Sequence, residues 1–335
     1  MRPQAAGRPT NSRKGTVVRA AAARSELANP PAPRIRGIGA VTGWGEGVQA
    51  LPDAPSQGGE RGRGLVTAPT PVLSGDRFRR ASRECLLAVA AAKAAVADAG
   101  LAEAELAGPR TGILYVSATG YAAANRAFLE DETSTTLHFP YTSPSAVPGE
   151  VTIELGIRGP YVNLMGGAPA TFQALWWAVR WLAEGRADRF LVLTVEAFHE
   201  VRDLFGRVRR LYAGPLVEGA ACLLLEPGEG SALRWASALA GPAGARGTVA
   251  TVLERVLDGD RPGLVWSGST GASRETAEAR ILADRGAPAP TPRLGEALAM
   301  GPLLALARIR RERTPRPWLL TATWRNEYAA LLWAR

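Results

Sequence analysis

The stretch from Gly159 to Gly185, GPYVNLMGGAPATFQALWWAVRWLAEG, has the residue order that presents a reactive group in an α/β protein. A short apolar run passes through a Gly-Gly pair and enters an apolar-periodic segment at Pro169. This order predicts a strand, a sharp turn and a helix, with Ala168 among the unpaired N–H groups at the helix N-terminus. A Cys there would be acidified and a Ser would be presented to substrate. The sequence therefore predicts a scaffold for covalent catalysis that lacks its nucleophile.

Hydroxyl groups near this stretch leave a second chemistry open. Thr171 is the nearest hydroxyl on the predicted helix, and His199 follows the strand that comes after it. A hydroxyl nucleophile with a histidine base is one interpretation. In the other, which we prefer, Thr171 packs within the helix, His199 lies on the surface, and His138 lies in a turn beside Phe139.

Composition excludes several classes of protein. The chain has 335 residues, of which 46% are hydrophobic and 21% charged, as in an ordinary globular protein. Arg and Glu interrupt every apolar run before the ~18 residues that a membrane span needs. The net charge is +9, but residues 1 to 36 carry seven Arg and one Lys against Glu26, which is +7. The nearly neutral remainder, without a nucleic-acid-binding motif, argues against nucleic-acid binding.

Cysteine and histidine usage argues against a metal site. Cys85 and Cys222 lie inside apolar runs without CxxC spacing, as expected of buried free thiols in a reducing cytoplasm. The two histidines form no HExxH or paired Cys/His pattern. We therefore expect neither a metal nor a cofactor.

The first 33 residues differ in composition from the rest. They are rich in Arg, Ala and Pro without apolar periodicity, which predicts a disordered basic tail. A start codon placed too far upstream is the interpretation that we prefer. A transit peptide and a polybasic arm that docks an acidic partner are the alternatives.

Strand and helix patterns alternate from residue 34 onward, which is typical of an α/β protein with mostly parallel sheets. Two successive series predict two related halves, residues 34–227 and 228–335. The predicted strands are 35–42, 112–117, 161–165, 190–196, 218–226, 232–240, 264–267, 318–323 and 328–333. The predicted helices are 83–99, 118–131, 148–155, 169–185, 248–257, 275–283 and 295–310.

The combination of segments resembles the β-ketoacyl synthase family, whose members have the thiolase fold. The matching segments of the first half are RIRGIGAVTGWG, GEVTIELGIRGPYVNLMGGAPATFQAL, ADRFLVLTVEAF and LVEGAACLLLE, in the family's order. The second half is similar through SGSTGASRETAE and PRLGEALAMGPLLAL. The resemblance implies two related halves with mixed or parallel sheets in a layered αβαβα arrangement, with the C-terminal half shortened.

The reactive positions of the family are replaced. Family members attack an acyl thioester with a Cys and decarboxylate a malonyl unit with two His held near a Lys. The matching positions hold Ala168 for the Cys, Ser267 and Glu296 for the histidines, and Thr291 for the Lys. Residues 322–326, ATWRN, stand where the family has a Gly-rich loop that shapes the oxyanion hole. Each hydrogen-bond donor of such a hole lowers the activation barrier by ~2.7 to 4 kcal/mol. These replacements predict a chain that is inactive alone, although its status as an enzyme stays open.

The resemblance implies a silent subunit that supports an active ketosynthase, comparable to a chain-length factor in polyketide, aryl-polyene or fatty-acid-type elongation. The partner would be that ketosynthase or a second copy of the chain, joined through strand 161–165. A remnant acyl pocket is predicted at Ala168, Phe172, Phe198, Ser267 and Glu296. Because acyl carrier protein is acidic, its predicted docking patch consists of Arg202, Arg207, Arg209 and Arg210. That these arginines only form a solvated loop is an equal alternative.

Two other functions stay open at this point. One is an acyltransferase or thioester hydrolase with a relocated nucleophile, Thr171 or Ser267. The other is a non-catalytic homodimer that binds a hydrophobic ligand in the former acyl pocket.

Overall fold

The structure is a computed structural model that describes residues 30–54, 64–130, 139–203, 214–228, 232–240 and 244–334. Most of the predicted tail, together with His138, Arg207, Arg209 and Arg210, lies outside these ranges. Among the described residues, no helix has the length and apolar character needed to cross a membrane.

A mixed six-stranded sheet forms the first half. In spatial order its strands are β2 (Gly45–Glu46), β1 (Arg34–Thr42), β8 (Gly219–Glu226), β6 (Arg189–Glu196), β4 (Thr111–Ser117) and β5 (Tyr161–Met165). β4 is parallel to β5 and β6, whereas β8 is antiparallel to β1 and β6. The expectation of mostly parallel sheets is therefore wrong, because a strand buried on both faces has the same continuous apolar pattern in either direction.

The second half repeats this topology with two strands fewer among the described residues. Its sheet has the order β10 (Leu264–Gly268), β11 (Trp318–Trp324), β12 (Glu327–Trp333) and β9 (Leu233–Leu239). The pairings β10/β11, β11/β12 and β12/β9 have the same directions as β4/β6, β6/β8 and β8/β1. Where β5 would have its counterpart beside β10, the described residues contain only a single parallel bridge, between Trp266 and Thr291. The predicted shortening thus falls on both edges of the sheet, because the described residues also contain no strand beyond β9 to match β2.

Helices lie outside and between the two sheets. They are α1 (Arg83–Asp98), α2 (Ala122–Glu130), α3 (Ala146–Glu154), α4 (Ala168–Ala183), α5 (Gly244–Leu257), α6 (Ala272–Asp284) and α7 (Gly301–Arg311). α1 and α3 share an apolar core with one face of the first sheet, and α5 and α6 share another with one face of the second. α4 and α7 lie in the central core, which includes residues of both sheets. This is the predicted αβαβα layering.

Glycine lets α1 lie directly on β1. A β-carbon on Gly37 would lie 2.1 Å from the carbonyl oxygen of Ala95, and one on Gly39 would lie 2.0 Å from that of Ala91. Both distances are far inside van der Waals contact. The alanine-rich face of α1 and the glycines of β1 therefore produce the close packing between the first two layers.

Two helices begin later in the chain than predicted. α7 begins at Gly301 rather than residue 295, because Glu296 pairs as extended backbone with Leu216 and Leu298 has a φ of 43°. α2 begins at Ala122 rather than residue 118, because the N–H groups of residues 118 and 119 donate to the side chain of Glu196. In both cases a long-range contact replaces the local helical pattern.

Candidate functional site

The predicted strand, turn and helix form a sharp elbow at the edge of the first sheet. β5 ends at Met165, and Gly166 donates its N–H to the carbonyl of Ser117 at the end of β4 (2.9 Å). Gly167 is the N-cap of α4, and Ala168 is the first helical residue, only 7% exposed. The elbow therefore places the Ala168 side chain where a nucleophile would be presented at a helix N-terminus.

The indole of Trp324 lies against this elbow. A β-carbon added to Gly167 would be 2.5 Å from Cε3 of Trp324, so the ring touches the backbone just before Ala168. Trp324 is the last residue of β11 and belongs to the segment that is predicted to stand where the family has its Gly-rich loop. It packs with buried Phe198, Leu216 and Leu298. This apolar cluster therefore occupies the space beside the elbow.

The predicted site residues do not share one apolar cluster. Ala168 and Phe172 belong to the central core, whereas Phe198 is in the small cluster with Trp324. Ser267 is half-buried on β10, and its Oγ accepts a hydrogen bond from the N–H of Ser269 (3.3 Å). Thr291 donates its N–H to the carbonyl of Val265 (2.7 Å). A pocket lined by the predicted residues stays a prediction.

Glu296 is held by backbone and by a cation. Its Oε1 accepts from the N–H of Leu298 (3.0 Å), and its Oε2 lies 3.6 Å from Nη1 of Arg293. Its own backbone N–H donates to the carbonyl of Pro215 (2.7 Å), and its carbonyl accepts from the N–H of Val217 (2.9 Å). Glu296 therefore lies outside the helix that was predicted to begin at residue 295, because α7 starts five residues after it.

Thr171 is poorly suited to act as a nucleophile. Its side chain is fully buried, and its hydroxyl donates to the carbonyl of Ala299 (2.6 Å). His199, its suggested base, is exposed. A nucleophilic hydroxyl needs access to substrate and a base within hydrogen-bond reach. The packing interpretation of Thr171 therefore agrees with its geometry.

Glu196, a buried carboxylate beside the site, was not predicted from the sequence. Its oxygens accept from the N–H groups of Ala118 (2.9 Å), Thr119 (3.0 Å) and Ala299 (3.0 Å) and from the Thr119 hydroxyl (2.9 Å). It thereby ties the end of β4 to the turn before α7, across the two halves. Complete burial raises the pKa of Glu196 to about 7, against the opposing effect of these donors. The only sequence signal is an acid that ends the apolar run FLVLTVE.

Glu196 is expected to make stability depend on pH. Because its pKa rises on folding from 4.5 to about 7, the stability it contributes is complete below about pH 4.5 and is lost as the pH rises through 7. The expected loss is about 3 kcal/mol of unfolding free energy. Urea unfolding between pH 5 and 8 should show this decline in the native chain and a flatter profile in Glu196→Gln.

A matched control for this prediction is Glu278→Gln, at a second buried carboxylate, which accepts from Thr321 and Tyr328 (both 2.9 Å). This variant keeps Glu196, so its unfolding free energy should still decline as the pH rises, whatever its absolute stability. An unchanged slope in Glu196→Gln would contradict the prediction.

Comparison with known proteins connects this geometry to a family. Residues 61–210 match the model of the β-ketoacyl synthase N-terminal domain. Nodulation protein E of Rhizobium sp. (strain N33) is 29% identical over 206 residues, which are 56% of this chain and 51% of the relative. The chain thus spans about half the length of the curated relative that it matches.

Solved structures show the same fold at low sequence identity. The ishigamide ketosynthase/chain length factor is 20% identical with a TM-score of 0.71, covering 90% of this chain and 98% of the other. A chain of the AntDE:AntF complex, a type II polyketide synthase acyl-carrier protein with its ketosynthase, is 16% identical with a TM-score of 0.74. The match covers 91% of this chain and 100% of the other. A β-ketoacyl synthase from Burkholderia phymatum STM815 is 17% identical with a TM-score of 0.71, and the match covers 91% of this chain and 99% of the other.

The fold is therefore that of the thiolase-like ketosynthases, as the sequence predicted. Together with the match of residues 61–210 to the N-terminal domain model, it confirms the predicted resemblance to the β-ketoacyl synthase family.

Proposed function

We propose that this chain is a catalytically silent ketosynthase-like subunit that supports an active ketosynthase, as a chain-length factor does, in polyketide, aryl-polyene or fatty-acid-type elongation. The observation that carries the proposal is the elbow, where the nucleophile position is Ala168 and Trp324 lies against the adjoining backbone. Acyl transfer by this family's chemistry needs a thiolate at that position. The replacements at Ser267, Glu296 and Thr291 remove the groups that would decarboxylate a malonyl unit.

The edge strand β5 supports a partner at this face. It pairs only with β4 within the described residues, and Tyr161 and Met165 are 41% and 49% exposed. Val162 and Leu164, on its other face, pack against the central core. The buried Oδ1 of Asn163 accepts no hydrogen bond from the described residues. An apolar, unpaired edge is a template for strand pairing, so we propose that the partner joins the sheet here.

Co-expression tests the proposed partnership. We expect a ketosynthase encoded beside this chain, with an intact Cys and two His, to form a one-to-one complex with it in native mass spectrometry and size-exclusion chromatography. The complex should be more soluble than the chain alone, and it should make products of a different length from those of the ketosynthase alone. The absence of a complex between this chain and the ketosynthase in both measurements would contradict the proposal.

The carrier-protein surface is proposed from the distribution of arginine. Arg202 is the described member of the predicted patch and is exposed just after the turn at His199–Val201. Exposed Arg79 and Arg80 line an open groove of about 700 Å³ immediately before α1. A salt bridge of 3.2 Å between Arg83 and Glu200 ties these two segments together. We propose that an acidic carrier protein docks on this combined face.

Charge reversal should weaken carrier binding on this face. We expect Arg202→Glu and the double variant Arg79→Glu with Arg80→Glu each to raise the dissociation constant for the carrier by about five- to tenfold, because each removes complementary charge. Surface plasmon resonance at low salt measures this. Arg280→Glu, an exposed position on α6 in the other half, is the matched control. Equal weakening by the control would contradict the proposed face.

A further inference from the structure

β9 leaves one edge of the second sheet open. It pairs along its length with β12, whereas its other edge has only one bridge among the described residues, between Pro31 and Ala232. Beside this bridge, the N–H of Leu233 donates to the carbonyl of Pro30 (3.0 Å). β1, the counterpart of β9 in the first half, has β2 on the corresponding edge. The described chain thus meets β9 at its first residue and pairs with none of the residues that follow.

The open edge of β9 has unpaired backbone groups. The N–H of Leu233 faces this edge, and alternate residues of an antiparallel strand bond to the same side. The N–H groups of Trp235, Ser237 and Leu239 therefore also face it, and none has an acceptor among the described residues. The strand is half-buried between its two ends, and Leu239 is 73% exposed. Such an edge is a template for pairing with another strand.

The chain approaches this edge in the direction that an antiparallel strand needs. The bridge between Pro31 and Ala232 is antiparallel, so the residues before Pro31 run alongside the residues after Ala232. Asn29 precedes Pro30, and a residue before proline favours extended backbone. Residues 1–29 are far more than the chain needs to reach the end of β9. Direction, local conformation and length therefore all allow the pairing to continue.

We propose that residues 24–29, RSELAN, which lie outside the described ranges, form an edge strand that pairs antiparallel with the rest of β9. In the register of the existing bridge, Ala28 lies opposite Trp235, and Leu27 lies opposite Ala236. Ala236 packs against the apolar core that α5 and α6 share with the second sheet. Because directly opposite residues share a face, Leu27 adds to that core. This inference is independent of the proposed ketosynthase-like function.

The proposed strand closes the sheet to further pairing. Its register places Glu26 opposite Ser237 and Arg24 opposite Leu239. Charged residues on an edge strand discourage pairing with another chain. β9 itself, LRWASAL, has its only charge on Arg234. The segment thus replaces an apolar edge with a charged one, and it competes with a second copy of the chain for β9.

Engineered disulfides in the full chain test the register. Leu27→Cys with Ala236→Cys places two thiols directly opposite each other in a non-hydrogen-bonded pair, whose Cα separation of about 4.5 Å suits a disulfide. With oxidised glutathione, we expect this matched pair to close within one chain at least about tenfold faster than Glu26→Cys with Ala236→Cys. The control moves one thiol by one residue, so that it points to the other face of the sheet. Peptide mass spectrometry measures closure, and buried Cys85 and Cys222 leave the background low.

Hydrogen exchange tests the pairing without added cysteines. Ala28→Pro removes the N–H that donates to the carbonyl of Trp235 in this register, so we expect the N–H groups of Trp235 and Ser237 to exchange at least about tenfold faster. Ser25→Pro is the matched control, because the N–H of Ser25 faces away from β9 and its loss should leave exchange at Trp235 unchanged. Electron-transfer fragmentation gives the rates by residue, and circular dichroism checks that both variants fold.

Three results would overturn the proposal. One is closure of the matched cysteine pair no faster than closure of the control. Another is exchange at Trp235 that Ala28→Pro leaves unchanged. The third is a disulfide that joins two chains, which would show that a second copy of the chain covers β9.

Discussion

Ala168→Cys alone is expected to react slowly with iodoacetamide, whereas Ala168→Cys combined with Trp324→Gly is expected to react at least about tenfold faster. The helix N-terminus favours the thiolate in both variants. In the single variant, however, the new thiol replaces a side chain that is 7% exposed, beside backbone that Trp324 contacts. Intact-protein mass spectrometry over a time course at pH 7 gives the two rates.

The background for this experiment is low. Burial raises the pKa of Cys85 to about 12 and also raises the pKa of Cys222, so both native thiols should remain unlabelled. Ala168→Cys with Trp235→Gly is the matched control, because Trp235 is a half-buried tryptophan on β9. Its ring centroid lies 5.8 Å from that of Trp176. If the single variant or this control reacted as fast as the Trp324 double variant, Trp324 would not be the barrier.

Met165→Lys is expected to raise the dissociation constant of the complex with the ketosynthase by at least about 100-fold. Met165 is 49% exposed on the edge strand proposed to pair with the partner, so a lysine there would bring an unpaired charge into an apolar contact. Its partial exposure allows the chain to stay folded. Sedimentation of the mixed subunits over a concentration series measures the constant.

Leu239→Lys is the matched control for the interface. Leu239 is 73% exposed at the end of β9, an edge strand of the second sheet, so its replacement adds the same charge at a different edge. It should leave the complex intact. A complex that tolerates Met165→Lys, or that Leu239→Lys disrupts equally, would place the interface elsewhere.

The elbow could be predicted because its determinants are local. The apolar run, the Gly-Gly pair and Pro169 stand within a few residues of one another, and the structure has β5, Gly167 as N-cap and α4 in that order. The sequence also shows directly that position 168 is an alanine. Local periodicity thus predicted the elbow and the residue with which its helix begins.

The surroundings of the elbow could not be predicted because they depend on distant contacts. Trp324 is 157 positions beyond Gly167, and Glu196 reaches Ala299 across 103 positions. Nothing in a window of 10 to 20 residues identifies either pair. The same applies to the direction of β8 and to the extended backbone at Glu296, where pairing with another strand overrides a helical pattern.

This chain is expected to carry out no acyl chemistry alone. Intact-protein mass spectrometry after incubation with acyl-carrier and malonyl thioesters, with parallel measurement of released carbon dioxide, tests it most directly. We predict an unmodified mass and no decarboxylation for the chain alone, while an active ketosynthase in the same buffer becomes acylated. An acyl adduct mapped to Ser267 or Thr171, or decarboxylation by the chain alone, would contradict the account.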